Sequence, residues 1–255
     1  MKLDKFRNLK GKEKIIMLTA YDYQIAKILD EEVINIILVG DSLGMVVQGY
    51  GDTKNVTMED MLYHTRAVAR GAKKTPIIGD MPLNSDSTIE DALRNAKSFL
   101  DAGAHGVKIE GNKTEVIKAL ISNGIPVMGH IGLLPQTAPT YRVRGKATED
   151  AQKILQDAVQ LDKLGVFTMV LESIPESLAK KITKAIGAPT IGIGAGKHCD
   201  GQVLVINDML GLDPTFNPKY VKRYANLNQI IKKAVEDFRQ EVRDGEYPDY
   251  EHAYH

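Results

Sequence analysis

Five short apolar runs in this chain end in side chains that could do chemistry: Val39-Gly40-Asp41-Ser42, Gly79-Asp80-Met81-Pro82, Val107-Lys108-Ile109-Glu110-Gly111, Gly129-His130 and Val170-Leu171-Glu172. Four carboxylates with a lysine suit an oxygen-ligated hard cation. Magnesium wants octahedral oxygen donors and takes only one or two carboxylates from a protein, which leaves others free for acid–base work. Taken singly, each residue also has a plain explanation. Asp41 and Asp80 fit ordinary turn or helix-capping positions. Lys108 and Glu110 share a strand face by period two and fit a simple ion pair. His130 fits a satisfied polar residue. Glu172 follows the apolar Met169-Val170-Leu171, where a carboxylate needs a partner or a shifted pKa. The set says more than its members, because every plain explanation would have to hold on the same rim.

The elements that must position these residues follow from apolar patterning. Strands are expected at Ile15–Ala20, Ile36–Gly40, Pro76–Met81, Gly106–Glu110, Pro126–His130, Thr168–Glu172, Pro189–Gly194 and Gln202–Ile206. They are short and rich in Ile, Val, Leu and Met, as parallel strands covered on both faces are. Amphipathic helices are expected at Asp22–Glu32, Met58–Gly71, Thr88–Ala102, Thr114–Asn123, Glu149–Leu164 and Glu176–Ile186, with a last long one at Asn226–Asp244. Ser87-Thr88-Ile89-Glu90 fits a capping box that begins at Ser87. Eight alternating units without a linker or compositional break favour an α/β fold, a closed (β/α)8 TIM barrel. The whole chain, 1–255, reads as a single barrel domain with a C-terminal helical extension, irregular only where Asn207–Ala225 intervenes. In such a barrel the active site lies at the carboxyl ends of the strands, where all five polar exits fall. The glycine-rich exit Gly192-Ile193-Gly194-Ala195-Gly196-Lys197 fits close backbone approach to a ligand or tight barrel packing equally well.

Composition narrows the partners. With 33 Lys and Arg against 33 Asp and Glu the formal net charge is zero, which gives no long-range field for a nucleic acid backbone or an anionic membrane. A small molecule fits better. The single cysteine, Cys199, cannot form an intrachain disulfide, and no Cys/His spacing suggests structural zinc; a reducing cytoplasm is expected. No run reaches the roughly 18 apolar residues of a spanning helix.

Six blocks resemble ketopantoate hydroxymethyltransferase, in that family's order: Thr19-Ala20-Tyr21-Asp22, Val39-Gly40-Asp41-Ser42-Leu43-Gly44-Met45, Val107-Lys108-Ile109-Glu110-Gly111, Gly129-His130-Ile131-Gly132-Leu133, Leu171-Glu172 and Ile191-Gly192-Ile193-Gly194-Ala195-Gly196. The likeness runs from about Leu3 to the closing Glu251-His252-Ala253-Tyr254-His255. One departure is the stretch after Pro135-Gln136, which is shorter than the family's and lacks its Gly-Gly pair. The resemblance implies magnesium bound by Asp41 and Asp80, with Glu110 completing the metal environment directly or through water. Asp41, Ser42, Asp80 and Lys108 would contact the keto acid, and Glu172 would be the base. His130 would orient a water or the substrate. The implied reaction transfers a hydroxymethyl group from 5,10-methylenetetrahydrofolate, or a related reduced pterin, to 3-methyl-2-oxobutanoate through a magnesium-stabilised enolate, giving 2-dehydropantoate for pantothenate and coenzyme A. The implied assembly is a homo-oligomer, a decamer of paired pentameric rings. The alternatives are a magnesium-dependent carbon–carbon lyase or aldolase on a 2-keto acid, and a barrel that only binds a ligand.

Overall fold

The structure, a computed structural model, describes residues 3–255. A 3-10 helix, Leu3–Leu9, leads into β1 (Ile15–Thr19), α1 (Tyr23–Glu31), β2 (Ile36–Val39), the four-residue α2 (Leu43–Val46), α3 (Met58–Gly71), β3 (Ile77–Asp80) and α4 (Ile89–Asp101). The chain continues through β4 (Gly106–Glu110), α5 (Thr114–Ser122), β5 (Val127–Gly132), α6 (Thr148–Leu164), β6 (Thr168–Glu172), α7 (Glu176–Ala185), β7 (Thr190–Ile193) and β8 (Gly201–Leu204). Each strand pairs in parallel with the next, and β8 returns to β1, so the sheet closes as the alternation predicts. By its contacts the chain separates after Val205, and Ile206–His255 forms a second compact unit holding α8 (Ile206–Met209) and α9 (Leu227–Asp244).

Strand geometry sends alternate side chains to opposite faces, and that period fills the barrel. Ile15 and Met17 of β1, Ile36 and Leu38 of β2, Ile78 of β3, Met128 of β5, Val170 of β6, Ile191 of β7 and Val203 of β8 form one buried cluster. Leu3 and Phe6 belong to the same cluster, and the Phe6 and Phe167 rings lie 6.2 Å apart between centroids. The leading 3-10 helix therefore plugs the end of the barrel at which the strands begin.

Several local expectations shift by a residue or two. The N-cap of α4 is Thr88, whose hydroxyl accepts from the Asp91 N–H, while the Ser87 hydroxyl donates to the Asn84 carbonyl. The capping box expected at Ser87 is thus displaced by one residue, because a hydroxyl one position later reaches the first-turn N–H groups. A full capping box occurs instead at Thr57 and Asp60, opening α3. At the glycine-rich exit the backbone turns left-handed at Gly194 and Gly196, with φ of 64° and 77°. A Cβ on Gly196 would lie 2.4 Å from the Glu176 side chain, so packing against α7 is a sufficient reason for glycine there.

Candidate active site

Continuing the inward period toward the carboxyl ends of the strands replaces apolar side chains with ionisable ones. In β3 Ile78 is followed two residues later by Asp80, in β5 Met128 by His130, and in β6 Val170 by Glu172, while β4 carries both Lys108 and Glu110. Register sets these residues side by side: Asp80 lies opposite Lys108, and Glu110 opposite His130. Opposite Glu172 lies Gly132, whose φ is 101°, and a Cβ there would come within 2.3 Å of the Glu172 carbonyl oxygen. Glycine at that position lets β5 and β6 stay paired to their last residue, where Glu172 stands.

The ionic contacts form a continuous cluster. Lys108 Nζ lies 2.7 Å from Asp80 Oδ1, 3.9 Å from Glu110 Oε1 and 3.2 Å from His130 Nδ1. His130 Nδ1 is 3.5 Å from Glu110 Oε1, and Nε2 is 3.1 Å from Glu172 Oε2, close but poorly aligned for a hydrogen bond. The Asp41 backbone N–H donates to Asp80 Oδ2 at 3.2 Å. Asp41, Asp80, Lys108, Glu110 and His130 are buried, and Glu172 keeps 17% of its side chain open at the mouth. Ser42 lies on the same rim, and its hydroxyl is bonded to the Tyr21 hydroxyl at 2.8 Å rather than to the carboxylates.

Burial and mutual repulsion oppose ionisation of Asp41 and Asp80. Desolvation, then the Asp80 charge, pushes the Asp41 carboxyl well above the ordinary range, and desolvation raises Asp80 as well despite Lys108. Burial alone would lower Lys108, but Asp80, Glu110 and Asp41 outweigh it and hold the ammonium charged. Glu110 is held low against its burial by His130 and Lys108. Burial and the Lys108 charge push the His130 ring down, the neighbouring Glu110 and Glu172 carboxylates push it up, and the balance is a value raised to about 9.

Two residues outside the predicted set belong to the site. Gln136, in the loop after β5, is buried and donates its side-chain N–H to Asp41 Oδ2 and to the Met81 carbonyl, both at 2.8 Å; its backbone N–H donates to Glu110 Oε2 at 3.2 Å. Tyr141, farther along that loop, has its phenol proton held more tightly by burial and then by the charges of Asp52, Asp41, Glu172 and Glu110. The loop is fastened beyond Tyr141 by the Arg144 N–H, which donates to the Ser173 carbonyl beside Glu172 at 2.9 Å. No periodicity marks a loop residue such as Gln136, so only its neighbours in space reveal it.

The donor set can be tested against a metal ion. Glu110 Oε1 is buried and lacks an aligned hydrogen-bond donor, and Asp80 Oδ1 has only the Lys108 ammonium beside it, so each carboxylate oxygen keeps lone-pair capacity for a cation. Among the described residues no three His, Cys, Asp or Glu side chains form a ready-made metal cage. Magnesium does not need one, since it completes its shell with water and substrate oxygens.

A closed parallel barrel with a buried acid–lysine–histidine cluster at its carboxyl mouth defines the class: a (β/α)8 enzyme built for polar chemistry on a small molecule. The chain belongs to the ketopantoate hydroxymethyltransferase family, whose sequence profile matches residues 1–250. A 3-methyl-2-oxobutanoate hydroxymethyltransferase from Syntrophus aciditrophicus (strain SB) is 51% identical over 97% of this chain and 94% of the relative. One of the same name from Clostridium kluyveri (strain ATCC 8527 / DSM 555 / NBRC 12016 / NCIMB 10680 / K1) is 53% identical over 95% and 89%. Among solved structures, phosphonopyruvate hydrolase in complex with oxalate and Mg++ superposes with a TM-score of 0.64 at 13% identity, over 99% of this chain and 93% of the other. 2,3-Dimethylmalate lyase, a PEP mutase/isocitrate lyase superfamily member, gives 0.62 at 15%, over 98% and 91%. At such identities the likeness establishes the shared barrel.

Proposed function

We propose that this enzyme adds a hydroxymethyl group to 3-methyl-2-oxobutanoate, giving 2-dehydropantoate on the route to pantothenate, with 5,10-methylenetetrahydrofolate as the one-carbon donor. The observation that carries the reading is the buried cluster of Asp80, Lys108, Glu110 and His130 beside the half-open Glu172, in a chain about half identical to relatives of that name.

Asp41 and Asp80 would hold magnesium, with Glu110 reached directly or through water. When bound, the ion supplies Lewis-acid stabilisation to the oxygens of a 2-keto acid and so acidifies its C3 hydrogen. Lys108, fixed by Asp80 at 2.7 Å, presents its ammonium to the substrate carboxylate. Ser42, oriented by Tyr21, hydrogen-bonds the keto acid. Glu172 takes the C3 proton onto a carboxylate oxygen, a step in which a positioned base contributes about 10²- to 10⁴-fold. His130, 3.1 Å from Glu172 Oε2, orients that carboxylate toward C3. The carbon freed of its proton then bonds to the donor's methylene carbon, whose two bonds to folate nitrogens break in the course of the reaction; water supplies the hydroxyl, and its proton and the one taken from C3 end on those nitrogens, so that tetrahydrofolate leaves. The reading carries with it a cytoplasmic enzyme without nucleic acid or membrane partners, residues 206–255 as an extension of the barrel domain, and a decameric homo-oligomer. Among the described residues no helix is long and apolar enough to cross a membrane.

The test is solvent deuterium exchange at C3 of 3-methyl-2-oxobutanoate with magnesium, followed by NMR. Exchange should need the metal and fall at least 100-fold in Glu172→Gln and in Asp80→Ala. Undiminished exchange in Glu172→Gln would remove the base from its role. No exchange in the unmodified enzyme, even with folate present, would sink the transferase reading.

A further inference from the structure

We infer that Gln136 is a positioning residue for the metal ligands: it locks Asp41 in the orientation that faces the cation and ties that orientation to the loop after β5. The inference rests on the assignment of Asp41 to magnesium made above.

Three bonds from a single residue reach three different strand ends. The side-chain amide donates to Asp41 Oδ2 after β2 and to the Met81 carbonyl after β3, and the backbone N–H donates to Glu110 Oε2 at the end of β4. Gln136 itself sits beyond β5, 95 positions from Asp41 along the chain. All of these contacts are buried, so no water competes for them and an amide left unpaired there would be costly.

The chemistry of the contact fixes its direction. A primary amide offers two N–H hydrogens, and the two bonds at 2.8 Å use both. With the Met81 carbonyl as a fixed backbone anchor, the second hydrogen holds Asp41 Oδ2 in place, and Asp41 Oδ1 is the oxygen left for the ion. Asp80 cannot do this work, since its Oδ2 accepts from the Asp41 backbone N–H and an ionised carboxylate has no hydrogen to give Asp41 Oδ2. A free aspartate carboxylate would rotate about its χ2 bond, where the torsional profile is broad. Partners of this kind, outside the ligand shell, typically change metal affinity or activity by roughly 10- to 100-fold when removed.

The same three bonds make the loop report on the ion. The loop after β5 runs on from Gln136 to Arg144, whose backbone N–H donates to the Ser173 carbonyl beside Glu172. A displacement of Asp41 or Glu110 on binding the cation would therefore be passed to that loop through Gln136.

The experiment compares magnesium binding by calorimetry, without substrate, in the unmodified enzyme, Gln136→Met, Gln136→Asn and Asp41→Asn, alongside metal-free melting of each. Gln136→Met keeps the volume and the backbone N–H but removes both side-chain donors. Its magnesium Kd should rise about 10-fold or more, and Gln136→Asn, too short to span both acceptors, should show the same loss. If the methionine variant does not fold, the asparagine variant decides. An unchanged Kd in either folded variant, with binding lost in Asp41→Asn, overturns the role of Gln136 and leaves the metal assignment standing. An unchanged Kd in Asp41→Asn overturns the metal assignment, and the inference about Gln136 with it.

Discussion

Lys108 sets an ammonium among Asp41, Asp80 and Glu110 in a region closed to water. Removing one partner of a buried ion pair leaves an uncompensated charge and costs about 3–5 kcal/mol. Lys108→Met should therefore lower metal-free stability by about 3 kcal/mol in chemical denaturation, and added magnesium should recover part of the loss by replacing the missing charge. Equal stability with and without Lys108 would mean the acids are protonated and need no counter-charge. At this scale the site was partly legible. Asp41, Asp80, Lys108, Glu110 and Glu172 were readable only as a set, because each alone fits a plain explanation while all five fall at the ends of apolar strands. His130 was visible, but its setting between Lys108 and Glu172 was not, because it depends on pairing between strands. Gln136 had no signal at all, since an uncharged loop residue follows no period.

Elements are joined at the opposite end of the barrel by carboxylates of a different kind. Asp30 accepts the N–H groups of Lys73, Lys74 and Thr75, Asp162 those of Gly187 and Ala188, and Asp200 that of Thr190. Burial opposes their ionisation, but these donors, with Arg7 beside Asp162 and Lys10 beside Asp200, outweigh it and lower all three pKa values. A lowered folded pKa contributes stability that is fully present above the unfolded value, about 3.9, and is lost as pH falls through the folded value. Asp162→Asn should accordingly melt several degrees lower than the unmodified enzyme at pH 6 to 7, a loss of about 1–3 kcal/mol. The gap should close below about pH 4, and a gap that stayed constant to pH 3 would assign the effect to packing. Strand positions were readable because parallel strands covered on both faces are short continuous apolar runs. Their ends were not, since β5 runs on to Gly132 and β8 stops at Leu204, limits set by the neighbours each strand pairs with. The four-residue α2 is too short for any helical period to show.

Across the whole molecule, closure of the barrel was foreseeable from eight uninterrupted units, and the contacts divide after Val205, close to the irregular stretch Asn207–Ala225 that precedes the long last helix in the sequence. No residue of α9 is buried, and Ile230, Ile231, Val235, Phe238 and Val242 are exposed. An apolar stripe of that size on a helix is a surface that association would cover. Sedimentation of the purified chain should therefore show a large assembly, with the mass of a decamer expected from the family resemblance, and Val235→Glu with Phe238→Glu should shift it to smaller species. A monomer at micromolar concentration would remove the oligomer from the reading.

Leu3 and Phe6 close one end of the barrel, and that closure reaches into the kinetics. With the far end filled by these side chains, the carboxyl mouth is the side from which the proposed keto acid and its carbon donor would both approach Lys108. On that reading the smaller ligand would bind beneath the larger, turnover would follow an order with the keto acid first, and excess donor would slow the enzyme; initial rates that stay hyperbolic at high donor concentration would remove that order.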